Sequence, residues 1–281
     1  MGTGGFVAAA LKWADLRPEV DPLTGTLTGD RRTWGMSPAD GAALEWALRL
    51  GAAWGLPVTA VTAGRGESDA VLREAAAAGA TRLVRVDLDP EQPSDVVAHG
   101  LAQALAGATV VCCGDHSVDR GSGSVPAYLA HSLGAAQALG LTTLAASESP
   151  GGLTAERRLD GGRRERLHLT QPAVVSVEPA GVRLRRASLS GLVAARNLAV
   201  HVVPPGTQPR HATVVQSLRT APYRPRARVL PPPPADRGPR ERLLALTRAL
   251  VERTPPRVVT AGADEAADEL LAYLKTNGYL G

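Results

Sequence analysis

Between Thr109 and Ala130 the chain passes from a β-branched apolar stretch, Thr109-Val110-Val111-Cys112-Cys113, through a glycine and a small polar loop into the helical pattern Pro126-Ala127-Tyr128-Leu129-Ala130. That order reads as strand, loop and helix. It constrains the fold more than any other feature, because a buried strand feeding directly into a helix is the unit of a parallel sheet covered by helices. The junction is also suited to anions. Helix N-terminal amides and the positive dipole end meet Gly121, Ser122, Gly123 and Ser124, whose small size lets backbone and hydroxyls approach a phosphate. The loop has no P-loop lysine and does not match G-x-G-x-x-G, so neither a triphosphate hydrolase nor a standard dinucleotide fold is indicated. Glycines and serines here also serve simply to make a tight turn, and the loop alone does not separate the two uses.

The same alternation recurs along the first half of the chain. Strands are expected over residues 6–11, 57–62, 82–87 and 109–113, and helices over 70–78, closed by Gly79, and over 94–105. Ser37 is placed to cap a helix with Pro38 at its first position and Asp40 three residues after the cap. Residues 21–34, with Pro22, Gly25 and Gly29, read as a loop or hairpin. After Gly134 the pattern changes to a strand over 142–146, a hairpin around Asp160-Gly161-Gly162-Arg163 and a strand over 172–177. Beyond Gly181 arginine and proline dominate, with four prolines at Pro231 to Pro234, and such a segment cannot build its own core. Two helical stretches follow, 239–253 and 263–277, the second ended by Gly278. The expected organisation is a domain over 1–180 and an extended docking arm over 181–281.

A chain of 281 residues, 44% of them hydrophobic, can bury a sizeable core. No basic segment followed by a long apolar core opens it, and no run of about 18 apolar residues occurs, so a cytoplasmic protein outside the membrane is expected. The only cysteines, Cys112 and Cys113, are adjacent in a strand and point to opposite faces. They read as core thiols in a reducing compartment. An isoelectric point near 9.5 invites nucleic acid as a partner, but the net charge is only +4 and no nucleic-acid motif accompanies it. Lysine occurs only at Lys12 and Lys275, and the arginines concentrate between Arg157 and Arg257. That basic half suits an acidic protein surface, or is a solvated face in an arginine-rich composition; the sequence leaves both open. No triad, paired-carboxylate or metal-ligand constellation stands out.

The succession Leu11-Lys12, Met36 to Asp40 with Ala43-Leu44-Glu45 and Leu48-Arg49-Leu50, Val61 to Gly64, Ala78-Gly79-Ala80, Gly114 to Asp119, Asp160-Gly161-Gly162, Gln171 to Val177 and Ala187-Ser188-Leu189 resembles the beta subunit of electron transfer flavoproteins. The resemblance is collinear over about residues 6–203, with a shorter echo around 264–280. The proline-rich arm and the arginine-for-lysine usage look like the actinobacterial branch associated with the peptide cofactor mycofactocin. The resemblance implies an α/β fold with a parallel, Rossmann-like, adenine-nucleotide-binding sheet and a β-hairpin insertion. It further implies a heterodimer whose alpha subunit holds most of the FAD site while this chain holds a structural AMP, a place that in some relatives takes a second FAD.

Matching positions put the AMP pocket at Ala10, at Ser37, Pro38, Ala39 and Asp40, at Ala63, and along Gly114, Asp115, His116, Ser117, Val118, Asp119, Arg120, Gly121, Ser122, Gly123, Ser124 and Val125. Two parallel strands would end at Ala10 and Ala63, where open α/β sheets bind ligands. The resemblance also places a recognition loop for partner dehydrogenases over 185–196, with Leu189 as apolar anchor and Arg185, Arg186 and Arg196 around it. Arg158 stands where the family carries an acid that steadies the flavin domain. The chain is thus expected to be an electron carrier without substrate chemistry, nucleic-acid binding or membrane insertion. The alternative from another class is a stand-alone nucleotide-binding sensor or stress-type domain.

Overall fold

The computed structural model describes residues 5–147, 152–206, 238–246, 258–277 and 279–280. In chain order, β1 (Phe6–Ala10) is followed by β2 (Trp13–Asp15), β3 (Glu19–Val20), β4 (Leu27–Thr28) and β5 (Trp34–Met36). The last four form two short antiparallel ribbons, β2 with β5 and β3 with β4, which take in the segment expected as a loop or hairpin over 21–34 together with residues before it. Then come α1 (Pro38–Trp54), β6 (Val58–Ala63), α2 (Asp69–Ala78), β7 (Arg82–Val86), α3 (Ser94–Ala104), β8 (Ala108–Gly114) and α4 (Val125–Leu133). They are followed by β9 (Ala136–Ala146), β10 (Gly152–Arg158), β11 (Arg164–Thr170), β12 (Ala173–Val177), α5 (Leu189–Asn197) and β13 (Val200–Val203). α6 (Pro239–Leu246) and α7 (Ala263–Thr276) lie in a second unit.

Nine strands form one sheet in the order β11-β10-β9-β12-β8-β1-β6-β7-β13. The seven from β9 to β13 run parallel, and the β10–β11 hairpin continues the sheet antiparallel beyond β9. Alternation along each central strand feeds two cores. Val7 and Ala9 of β1, Val58 and Ala60 of β6 and Val110 and Cys112 of β8 pack with α1 and α2. Ala8 and Ala10, Val61, and Val111 and Cys113 pack with α3 and α4 on the other face. The two thiols therefore face opposite cores, both free, and burial alone pushes Cys112 up to about 12. α1 starts where the cap predicts, with Asp40 N–H donating to Ser37 Oγ at 3.1 Å.

Two expectations need correction. β9 begins at Ala136 rather than near Thr142, because pairing with β12 draws in an alanine-rich stretch that carries no strand signal of its own. A register shift there sits at Gly140, whose φ of +67° needs glycine and whose N–H donates to Ser176 Oγ at 3.0 Å. The second correction concerns the arm expected from residue 181. The chain divides into units Met1–Tyr223 and Arg224–Gly281, and the segment just past residue 180 belongs to the first. Val182, Leu184 and Leu198 pack on the α1–α2 core, and β13 becomes the sheet's edge beside β7, with Val200 opposite Leu83. These apolar residues are too few and too scattered among arginines to register as a period. Pro231 to Pro234, residues 247–253 of the expected penultimate helix and Gly278 lie outside the described residues.

Candidate functional site

β1 has β6 on one side and β8 on the other, so the direction of winding reverses between β1 and β8. Open α/β sheets bind ligands at the carboxyl ends of such a pair. An open crevice lies there, about 770 Å³ with the solvent in its mouth included. Its floor is Ala10, Leu11, Ala63, Cys113 and Gly114 at the ends of β1, β6 and β8. α3 supplies Ser94, Val97 and Leu101, α4 supplies Val125 and Pro126, and Pro90 completes an apolar wall. Lys12, Asp40, His116, Ser117, Arg120, Ser122 and Gly123 are the remaining lining.

The loop from β8 to α4 is closed on itself. Ser117 N–H donates to the Ser122 carbonyl at 2.9 Å and Gly121 N–H to the Ser117 carbonyl at 2.8 Å. Two of its glycines are required by space. A Cβ on Gly114 would stand 2.8 Å from Asp40 Oδ1 and 3.0 Å from Ala39 Cβ, and one on Gly123 would run into the Asp115 carbonyl oxygen. Lys12 holds the loop to the end of β1: its Nζ donates to Ser117 Oγ at 3.0 Å and pairs with the Asp119 carboxylate at 2.7 Å. Partial burial works against the charge on Asp119, but the bonds from Lys12 and Ser117 outweigh it and hold the carboxyl below its ordinary range. Asp40 is different. Its burial dominates, and although the Lys12 amide donates to it at 3.3 Å, its carboxyl is pushed up to about 7.

Ten of the predicted pocket residues line the crevice: Ala10, Asp40, Ala63, Gly114, His116, Ser117, Arg120, Ser122, Gly123 and Val125. Ser37 sits behind Asp40 as a buried helix cap, with Pro38 and Ala39 in the first turn of α1. Asp115, Val118, Asp119, Gly121 and Ser124 shape the loop instead of the lining, and Ser124 Oγ lies 3.1 Å from Ser122 Oγ. Sequence reasoning missed Lys12, Leu11, Pro90, Ser94, Val97, Leu101, Cys113 and Pro126. For Lys12 a signal existed: it is one of two lysines in an arginine-rich chain and directly follows the first strand. Among the described residues, no group of three or more His, Cys, Asp or Glu side chains is arranged to hold a metal ion.

The predicted docking segment forms α5. Ser188 caps it by accepting from Gly191 N–H at 3.0 Å, and Arg73 of α2 donates to the Ala195 carbonyl at 2.7 Å and to that of Leu198. α5 lies so close to α2 that a Cβ on Gly191 would come within 2.6 Å of the Ala77 carbonyl oxygen. Leu189 is 80% exposed, and Leu192 and Val193 are exposed beside it. Arg185, Arg186 and Arg196 are all exposed, but Arg185 is also tied to a buried carboxylate. Arg185 Nε donates to Oε2 of the buried Glu45 at 2.8 Å, and Arg49 pairs with the same carboxylate at 2.8 Å. Burial opposes the charge on Glu45, yet these bonds keep its carboxyl below the usual range. Arg158 pairs with Glu178.

The electron transfer flavoprotein domain model matches residues 24–206, about two thirds of the chain and nearly all of the sheet just described. The chain belongs to the electron transfer flavoprotein family. Its similar proteins include electron transfer flavoprotein subunit beta of Mycobacterium leprae, 36% identical over 151 residues, which are 52% of this chain and 56% of the relative. The subunit beta of Mycobacterium tuberculosis is 37% identical over 152 residues, with the same coverage. That of Bacillus subtilis is 30% identical over 181 residues, 62% of this chain and 68% of the relative. The chain spans about half the length of the mycobacterial relatives that it matches. Among the described residues of this family member, no helix is long and apolar enough to cross a membrane.

Proposed function

We propose that the chain is the beta-type subunit of a heterodimeric electron carrier that works in the cytoplasm, with a structural AMP in the crevice and FAD held mainly by an alpha partner. The observation that carries this reading is the crevice at the winding reversal, with a loop in which two glycines leave no room for a side chain. Its residues fit the nucleotide. Val97, Leu101, Pro90 and Pro126 offer apolar surface to an adenine, while the Ser122 hydroxyl and the Lys12 ammonium offer donors to a phosphate. Lys12 would then share its charge between Asp119 and the phosphate, so the loop is drawn onto the ligand from both sides.

FAD supplies the redox capacity of such a carrier, and this chain contributes shape and docking surface with no acid, base or nucleophile of its own. Leu189, displayed on an α5 that is capped and packed against α2, suits a transient contact with dehydrogenases, where one apolar anchor gives most of the affinity. Arg186 and Arg196 would steer the encounter. Arg185 contributes by holding the segment before α5 to Glu45.

Co-expression with a flavoprotein alpha subunit tests this reading. A yellow heterodimer is the expected product. A well-folded, colourless monomer that ignores the partner would overturn the carrier reading in favour of a stand-alone nucleotide sensor.

A further inference from the structure

Arg120 bridges the loop after β8 and the turn before α3. It lines the cavity, and its Nη1 donates to the backbone carbonyl oxygen of Gln92 at 2.7 Å. That bond joins the loop after β8 to the turn before α3, the wall that carries Pro90 and Ser94. The turn is itself fixed, with Gln92 N–H donating to the Asp89 carbonyl at 3.1 Å and Glu91 N–H to the Asp89 carboxylate at 3.0 Å. At the other side of the same loop, Lys12 makes the tie to the end of β1. The loop is therefore stapled to both walls, and the two staples differ. Lys12 reaches an ionised carboxylate from a partly buried position, whereas Arg120 makes one bond to a neutral carbonyl at the exposed rim.

The geometry points to Arg120 as the residue that sets the length of nucleotide the crevice accepts. We propose that its strap to Gln92 closes the mouth over a mononucleotide and excludes a ligand whose pyrophosphate continues outward, as in a dinucleotide. The inference rests on the AMP reading of the crevice and adds to it a size limit and a gate for exchange. A ligand that ends at its phosphate fits beneath the strap. A longer one must hold the guanidinium away from Gln92 for as long as it stays bound, so its affinity falls by the full worth of that bond. An exposed hydrogen bond of this kind opens readily enough for a mononucleotide to enter and leave.

The test compares wild type with Arg120→Ala, each as the full chain assembled with its alpha partner and loaded with either AMP or adenosine. Release is followed with and without excess FAD. If Arg120 is a strap, the variant releases both AMP and adenosine faster by the same factor, about tenfold, the worth of one charge-assisted hydrogen bond. Excess FAD then displaces AMP from the variant and not from wild type. Faster release of AMP with unchanged release of adenosine would make Arg120 a phosphate ligand and overturn the strap. Unchanged release of both, or equal displacement by FAD in the two proteins, would overturn it as well. Failure of wild type to retain either AMP or adenosine would sink the AMP reading itself and the strap with it, so the two failures are seen in different proteins.

Discussion

The crevice and α5 are both held firmly by backbone contacts, but they spend their side chains in opposite directions. Around the crevice the charged side chains are engaged by its own loops and strand ends: Lys12 by Asp119, Arg120 by the Gln92 carbonyl, and Asp40 by the Lys12 amide. On α5 the inward work is done by small or distant residues, namely Ser188, Gly191 and Arg73, leaving Leu189, Leu192 and Val193 displayed to solvent. The first arrangement leaves no room for a Cβ at Gly114 or Gly123. The second displays its outer face to solvent, the difference expected between the proposed ligand site and the proposed docking surface.

A valine introduced in each region should break the two unequally. Gly123→Val drives a side chain into the Asp115 carbonyl, and about 3 kcal/mol of stability in chemical denaturation should be lost together with bound nucleotide. Ala194→Val, on the exposed face of α5, should stay within about 0.5 kcal/mol of wild type. Equal losses would dissolve the distinction.

Acidity should mark only the crevice. Asp40 binds its proton more tightly in the folded chain, at about 7 against an ordinary aspartate value of 3.8, so its contribution is complete below about pH 4 and is lost as pH rises through 7. Between pH 4 and 8, wild type should therefore lose on the order of 4 kcal/mol of stability relative to Asp40→Asn. Parallel stability profiles for the two proteins would show that the burial of Asp40 carries no such cost.

On α5 the largest effect should be kinetic. Leu189→Ala should slow electron transfer from a partner dehydrogenase about thirtyfold, the equivalent of about 2 kcal/mol of lost anchoring, with thermal stability and flavin content nearly unchanged. Unfolding with normal transfer per folded molecule would instead make Leu189 a structural residue. The arginines sharpen the contrast further. Arg185→Ala should lower stability by about 1 kcal/mol, because Glu45 loses the guanidinium and keeps Arg49 and the backbone N–H of residue 185. Arg186→Glu should leave stability alone and change the association rate by a fewfold, with weaker salt dependence.

The parts of this picture that were legible in the sequence are those set by local chemistry. Ser37, Pro38 and Asp40 announce the start of α1, and the β-branched runs of β6, β7 and β8 announce a parallel sheet, because each signal lies within a few residues. The loop from Gly114 to Val125 was likewise found, as was its place beside Ala10 and Ala63. What stayed hidden depends on partners far along the chain. The pairing of Lys12 with Asp119 spans 107 residues and that of Arg185 with Glu45 spans 140, so the sequence shows charges without showing that they cancel. β13 was hidden for the same reason: four residues gain strand structure only by lying against β7.

The central claim is that the crevice holds a nucleotide within a two-subunit carrier, and the most direct measurement is to denature the purified heterodimer and identify and count the small molecules released. One AMP and one FAD per pair are expected. A pair that releases FAD alone, with neither AMP nor a second nucleotide, would contradict the claim.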